Sequence, residues 1–216
     1  MGVFEIIFNI VFYIFIFLIA TVLGLYQVNS LVLILFLVIM VGFRLFVEFY
    51  PLVLSRDINR IEKYLVKKKH GKRRQPLLFF YAVANQMDNE VEEVYHKLIS
   101  KTKNPHKKSA FNTVYALYKN DLEMAKNNVQ LLKQETYRVY YKALILIEEN
   151  ELNEAKNLGS QIKSESLKDI IQAEIFLKEN NMEKVKEHYE KALRSSKGLG
   201  YYSVYKRYIS IVDSKK

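Results

Sequence analysis

The chain lacks cysteine and tryptophan altogether, and it holds few helix breakers: three prolines and seven glycines in 216 residues. Without cysteine there is no disulfide framework, no thiol nucleophile, no redox dithiol and no Cys-ligated zinc or iron–sulfur site. The four histidines, His70, His96, His106 and His188, nowhere stand at the i, i+4 spacing that sets two imidazoles on one helix face, so no metal site is expected. Glycines fall at positions 2, 24, 42, 71, 159, 198 and 200. They build neither a G-x-x-x-x-G-K phosphate loop nor a G-x-G-x-x-G turn, and no serine stands in a G-x-S-x-G elbow. Glu92 with Glu93, and Glu148 with Glu149, are adjacent carboxylates, but beside turns at helix ends they read as solvated charge. No catalytic residue, cofactor or metal is therefore assigned, and an enzyme is not expected.

Charge is scarce where apolar residues are dense. Residues 1–50 carry only Glu5, Arg44 and Glu48. Residues 51–74 then carry nine Lys and Arg against Asp57 and Glu62, which is +7 of the chain's net +10. The last 142 residues hold 23 basic and 19 acidic side chains. A net +10 spread over one globular domain would suit nucleic acid. A short basic band directly after an apolar segment, followed by a nearly balanced remainder, disfavours that partner.

Two apolar runs come first. Ile6 to Tyr26 reads IIFNIVFYIFIFLIATVLGLY and Leu31 to Tyr50 reads LVLILFLVIMVGFRLFVEFY, with Pro51 expected to close the second. About 20 residues of helix cross the roughly 30 Å hydrocarbon core of a bilayer, and a domain this small has too little other apolar surface to wrap two helices greasy on every face. The start, MGVFE, has no basic residue and leads into a full-length run, so signal cleavage is not expected; Ile6 stands where a myristoylation signal would want Ser or Thr. Only Gln27, Val28, Asn29 and Ser30 separate the runs. The expectation is a transmembrane helical hairpin over 1–50, with spans near 6–26 and 31–50. An uncharged turn and a basic band after the second span put the turn outside and both termini in the cytoplasm, in a plasma membrane of bacterial type.

In an antiparallel pair Arg44 falls near Tyr13 and Glu48 near Asn9, a polar cluster at the depth of the cytoplasmic leaflet. Arg44 and Glu48 are one helical turn apart, a spacing that allows an ion pair. One hairpin has too few helices to line an ion or proton pathway, so an internal lock with snorkelling is the expected role. Ala20 and Gly24, small and four apart, would let another helix approach and so allow an oligomer through the hairpin. Past the spans, residues 51–74 form a juxtamembrane segment. Ile58, Ile61, Tyr64 and Leu65 share one helical face there, and Gly71 and Pro76 supply the stop. It reads as a helix on the inner membrane surface, with anionic lipid headgroups meeting the basic residues of 56–74, above all Lys67, Lys68, Lys69, Lys72, Arg73 and Arg74.

Residues 75–216 follow helical spacing throughout and repeat themselves. LYKNDLEMAK at 117–126, IEENELNEAK at 147–156 and LKENNMEKVK at 177–186 align at a shift of 30, with Asn120, Asn150 and Asn180 in one column. Each copy is an apolar helix end, a polar turn and a new helix start. Small and aromatic positions recur around these turns: Ala173, Phe176, Val185, Tyr189 and Ala192 in the last copy; Ala143, Leu146, Ala155, Gly159 and Ile162 before it; Thr113, Ala116, Ala125, Val129 and Leu132 before that. A weaker first copy starts near Leu77, with Ala82 and Val94 in register at a shift of 31. The pattern resembles the tetratricopeptide repeat, a helix–turn–helix unit, over about 75–197. The period is 30 rather than 34, and the repeat-end proline and the first helix's tryptophan and glycine are missing, so related helical-repeat classes stay open. The expected fold is all-α: the membrane hairpin, then a solenoid of four helical hairpins. Beyond Gly198 and Gly200 comes a capping helix over 201–212, with Tyr201, Tyr205, Tyr208 and Val212 on one side; the alternative is that this tyrosine-rich helix is itself a docking surface.

What remains after these exclusions is recognition. Inward-facing first helices would supply Tyr115, Tyr118 and Lys119, then Tyr137, Arg138, Tyr140, Tyr141 and Lys142, a mixture of aromatic and basic groups suited to an acidic or amphipathic partner segment. Packing between repeats is the other use for these tyrosines. The expectation is a membrane-anchored adaptor that binds a cytoplasmic protein at the inner membrane surface. An accessory subunit of a membrane enzyme or transporter, assembled through the hairpin, is the second reading, and a nucleic-acid binder, against which the balanced charge argues, the third.

Overall fold

The computed structural model describes the backbone of residues 3–26, 29–68 and 75–213, and the side chains of residues 10–26, 29–67 and 75–213. Within them every regular element is a helix: there are twelve, and no strand. The chain divides into two compact units, Met1–Tyr50 and Pro51–Lys216.

The first unit holds α1 (Val3–Leu25) and most of α2 (Ser30–Val53). Asn29 opens α2 by accepting a hydrogen bond from the Leu31 N–H at 2.9 Å, which satisfies one of the unpaired donors of a helix start. No residue of α2 is buried, and large apolar side chains are exposed all round it. By length and composition α2 is the one helix among the described residues long and apolar enough to cross a membrane; the side chains of α1 are described from Ile10, and Ile10–Leu25 is a shorter apolar stretch. Pro51 does not end α2, which runs on to Val53. So near the helix end the ring removes one bond of the ladder and leaves the others.

The second unit continues with α3 (Ile58–Lys68), α4 (Gln75–Ala84), α5 (Asp88–Lys101), α6 (Pro105–Tyr118), α7 (Leu122–Val129), α8 (Glu135–Glu148), α9 (Leu152–Ser160), α10 (Glu165–Lys178), α11 (Met182–Ser195) and α12 (Gly198–Asp213). From α4 to α12 each helix packs on the next in the chain. Helices α6, α8 and α10 start at 105, 135 and 165, and α7, α9 and α11 at 122, 152 and 182, an interval of 30 in both series.

The asparagine column explains the turns. Asn120, Asn150 and Asn180 take left-handed φ values of 56°, 66° and 58°, which asparagine tolerates better than other residues with a Cβ. Behind each, two backbone bonds close the helix: Asp121 N–H donates to Ala116 O at 2.8 Å and Asn120 N–H to Leu117 O at 3.2 Å, with the same pattern at 151/150 and 181/180. Asp121 and Asn181 then cap the next helix by accepting from Met124 N–H at 2.9 Å and Lys184 N–H at 3.2 Å. Gln86, at φ 53°, holds this place in the first pair.

That turn corrects the register of the first copy. Ala82 O accepts from Met87 N–H as Ala116 O does from Asp121 N–H, so the two alanines correspond at a shift of 34, not 31. Helix α5 is six residues longer than α7 and the loop after it, 102–104, is two shorter than 130–134, which sets this interval at 34 where the later pairs have 30. Val91, rather than Val94, then stands where Ala125 stands. Both valines are buried, so the apolar pattern alone did not separate them. In the later pairs Thr113, Ala143, Ala173, Ala125, Ala155 and Val185 are all fully buried. Small side chains there let paired helices approach closely; between one pair and the next, a Cβ on Gly159 of α9 would stand 2.8 Å from Cγ2 of Ile171 on α10.

The beginning and end of this unit are joined. Helix α12 packs on α11 and also on α3 and α4. Gly198 N–H donates to Ser55 O at 2.7 Å, and Arg56 donates to Ser196 O at 3.0 Å and to Arg194 O. Tyr202 is 1% exposed; its hydroxyl accepts from Asn85 at 2.8 Å and donates to Glu62 at 3.3 Å, and its ring stacks on Tyr81. Two sequence expectations change here. The apolar face of α3 is covered from within the unit: Ile61 and Leu65, 0% and 4% exposed, cluster with Tyr202, so this face is not free to lie on a membrane. In α12 the most buried side chains are Tyr202, Val204 and Ile211, while Tyr201, Tyr205, Tyr208 and Val212 are half-buried. A helix wedged between two clusters buries two faces rather than one.

Candidate functional site

A cavity of about 690 Å³ opens in the Pro51–Lys216 unit, walled by α4, α5, α6, α8, α10 and α12. This is within the size range of pockets that hold small molecules or side-chain clusters. Five of the wall helices contribute residues three or four apart, which fall on one face: Phe80 and Val83 from α4, Val114 and Tyr118 from α6, Tyr140 and Leu144 from α8, Ile170 and Glu174 from α10, Ser203 and Arg207 from α12; α5 adds Asp88 alone.

One charged network sits in the wall. Arg207 of α12 grips Glu174 of α10 by two parallel hydrogen bonds, Nε to Oε1 and Nη2 to Oε2, both 2.8 Å. Glu174 is 7% exposed, and the fully buried Tyr189 also donates its hydroxyl to Oε1. A bidentate, charge-assisted pair with a third donor leaves the buried carboxylate well satisfied. Hydrogen bonding to Glu174 raises Arg207 above its ordinary range, so it stays charged. Burial, and then the charge of Glu174, lifts Tyr189 well above the usual tyrosine value. Burial lifts Tyr140 strongly in the same direction, and it pushes Tyr141 up to about 12. Tyr118, whose hydroxyl donates to Asp88, is also pushed up to about 12, by burial first and this bond second. All of these hydroxyls are protonated at neutral pH. The cavity thus offers hydroxyls, aromatic rings, apolar wall and the carboxylates of Asp88, Glu148 and Glu174 to whatever enters it.

Of the residues expected to bind a partner, the cavity gathers Tyr118 and Tyr141, with Tyr140. It does not gather the rest. The Tyr115 ring stacks on Tyr95 with centroids 3.6 Å apart, its hydroxyl donates to Glu92 at 2.8 Å, and Lys119 reaches the same carboxylate at 2.9 Å. Both belong to the seam between α5 and α6. Tyr137 is exposed, Arg138 donates to Leu132 O at 3.3 Å, and the half-buried Lys142 does not line the cavity. The adjacent carboxylates are exposed or half-buried and bridged: Glu148 to Lys178 at 2.6 Å, Glu149 to Lys126, Glu93 to Lys97.

Among the expected lipid contacts Lys67 is exposed, while the Lys68 side chain and Lys69, Lys72, Arg73 and Arg74 lie outside the described residues. Of the polar cluster Tyr13 is exposed and Arg44 and Glu48 are half-buried on α2; the Asn9 side chain lies outside the described residues. Sequence reasoning missed Phe80, Asp88, Glu174, Ser203 and Arg207 as cavity residues. Glu174 carried a usable signal: it is the single charge in the apolar run IIQAEIFL, directly after the small position Ala173.

No protein-family model, no curated protein and no solved structure matches the chain.

Proposed function

We propose that the chain is a membrane-anchored adaptor. Residues 1–50 form a two-span hairpin with both termini in the cytoplasm, the basic residues of 56–74 meet anionic headgroups, and the helix pairs of 75–197 are a tetratricopeptide-like array closed by α12. The cavity takes a segment of a cytoplasmic protein and holds it at the inner membrane surface. Tethering raises the effective concentration of whatever binds, so a weak site suffices. The observation that carries this reading is the cavity wall, in which α4, α6, α8 and α10, one helix of each pair, present residues to a single space. The apolar, unburied α2 supports the anchor.

The test is proximity labelling from the C-terminus in the native cell. The labelled cytoplasmic neighbours should persist when residues 1–50 are exchanged for an unrelated two-span hairpin, and drop when Phe80→Ala and Tyr141→Ala open the cavity wall. The opposite pattern, with neighbours lost on hairpin exchange and kept on cavity substitution, would assign the chain as an accessory subunit assembled through its spans.

A further inference from the structure

We infer that the segment the cavity accepts is cationic: a short helix or extended stretch with Lys or Arg set among apolar residues. This rests on the reading of the cavity as a docking site, and of the acidic or amphipathic segment that the sequence suggests it sets the acidic alternative aside. The basic groups behind that expectation are used elsewhere, since Lys119 is held on Glu92 and Arg138 on the Leu132 carbonyl. Three carboxylates, Asp88, Glu148 and Glu174, line the space against one guanidinium, Arg207. Lys178 balances Glu148 from outside the lining at 2.6 Å. Asp88 is different: its hydrogen-bond donor is the neutral Tyr118 hydroxyl, and among the described residues no Lys or Arg pairs with it.

The rings of Phe80, Tyr118, Tyr140 and Tyr141 line the same space. An ammonium or guanidinium group within about 6 Å of such rings is attracted by the negative face of their π-systems. The chain itself supplies the precedent. Helix α12 is basic and rich in tyrosine, it closes one side of the cavity, and Glu174 takes its guanidinium with two bonds. The uncovered remainder repeats the same chemistry, carboxylate and aromatic ring, with no cation yet supplied to Asp88.

The test uses the full chain in nanodiscs of zwitterionic phosphatidylcholine, so that lipid does not itself collect cations. A random dodecapeptide phage library is panned on the native chain and on the Asp88→Asn, Glu148→Gln variant. Both positions are exposed, and circular dichroism verifies that the variant is folded. The expected result is enrichment of net-positive peptides with apolar neighbours on the native chain. By fluorescence anisotropy the best of them should bind the variant about tenfold more weakly, and its Lys/Arg→Glu analogue should not bind. Enrichment of acidic peptides, or equal enrichment on both proteins, overturns the charge assignment and leaves the docking reading standing. No enrichment on either overturns both.

Discussion

A Cβ on residue 198 would stand 1.9 Å from the carbonyl oxygen of Leu52. Gly198 takes a left-handed φ of 56°, and its N–H donates to Ser55 O, so the corner between α11 and α12 is closed backbone against backbone on the last turn of α2 and the residues just after it. Neither side can yield as a flexible side chain would. Gly198→Ala adds a clash and a strained φ together and should destabilise the second unit by about 2–3 kcal/mol. Gly200, with nothing within 4 Å of an added Cβ, is the control: Gly200→Ala should be neutral, or stabilising by up to about 1 kcal/mol through helix propensity. Urea midpoints with an unchanged m-value read both.

The same closure predicts where the soluble part can be cut. A fragment of residues 51–216 keeps Ile61 and Leu65 on Tyr202, whereas 75–216 strips them away and uncovers the α12 face. At about 1.5–3 kcal/mol for each buried aliphatic side chain, the shorter fragment should melt at clearly lower urea and bind a hydrophobic dye. Equal midpoints for the two fragments would falsify the joining of the two ends.

Arg207 and Glu174 should behave as a coupled pair. Arg207→Met leaves a carboxylate that is 7% exposed with the Tyr189 hydroxyl as its remaining donor, and should cost about 2–3 kcal/mol, since the guanidinium is itself half-exposed and partly screened. Adding Glu174→Gln should return part of that loss, because the uncompensated charge goes with it. A double-mutant cycle in urea measures the coupling, and strictly additive losses would mean that no buried charge is at stake.

The α5–α6 seam sets a pH window. Hydrogen bonds from Lys119, then Tyr115, then His96 hold Glu92 down to about 2, against an ordinary 4.5. Its contribution is therefore present above pH 4.5 and lost as pH falls through about 2. Burial and then the bond to Glu92 push Tyr115 up to about 12 from 10, so that its contribution is full below pH 10 and lost as pH rises through about 12. The melting temperature should decline at both ends. In Tyr115→Phe the alkaline decline should shrink, and the Glu92 carboxyl, followed by NMR, should titrate above its native value while Lys119 still holds it below 4.5.

Much of the second unit was legible in order and type. The column Asn120, Asn150, Asn180 marked the turns because a left-handed residue must end each helix, and the small residues around Ala143 and Ala155 marked the paired faces because close packing demands them. The first copy was misread by three residues because two buried valines, Val91 and Val94, satisfy the same apolar pattern. Cavity residues were harder. A tyrosine on a first helix can face the cavity, as Tyr118 does, or stack across a seam, as Tyr115 does, and the two are three residues apart on one helix.

By itself the sequence determined the helical elements, the 30-residue interval and the apolar character of α2, because these depend on spacing and composition within a few turns of chain. Only the tertiary structure decided that α12 returns to α3 and α4, that the apolar face of α3 is spent on Tyr202, and that Glu174 meets Arg207 across 33 residues. Those pairings are long-range and each has several apolar or charged competitors of equal local merit. Which competitor wins depends on the summed rotation from one helix pair to the next, a quantity no local pattern contains.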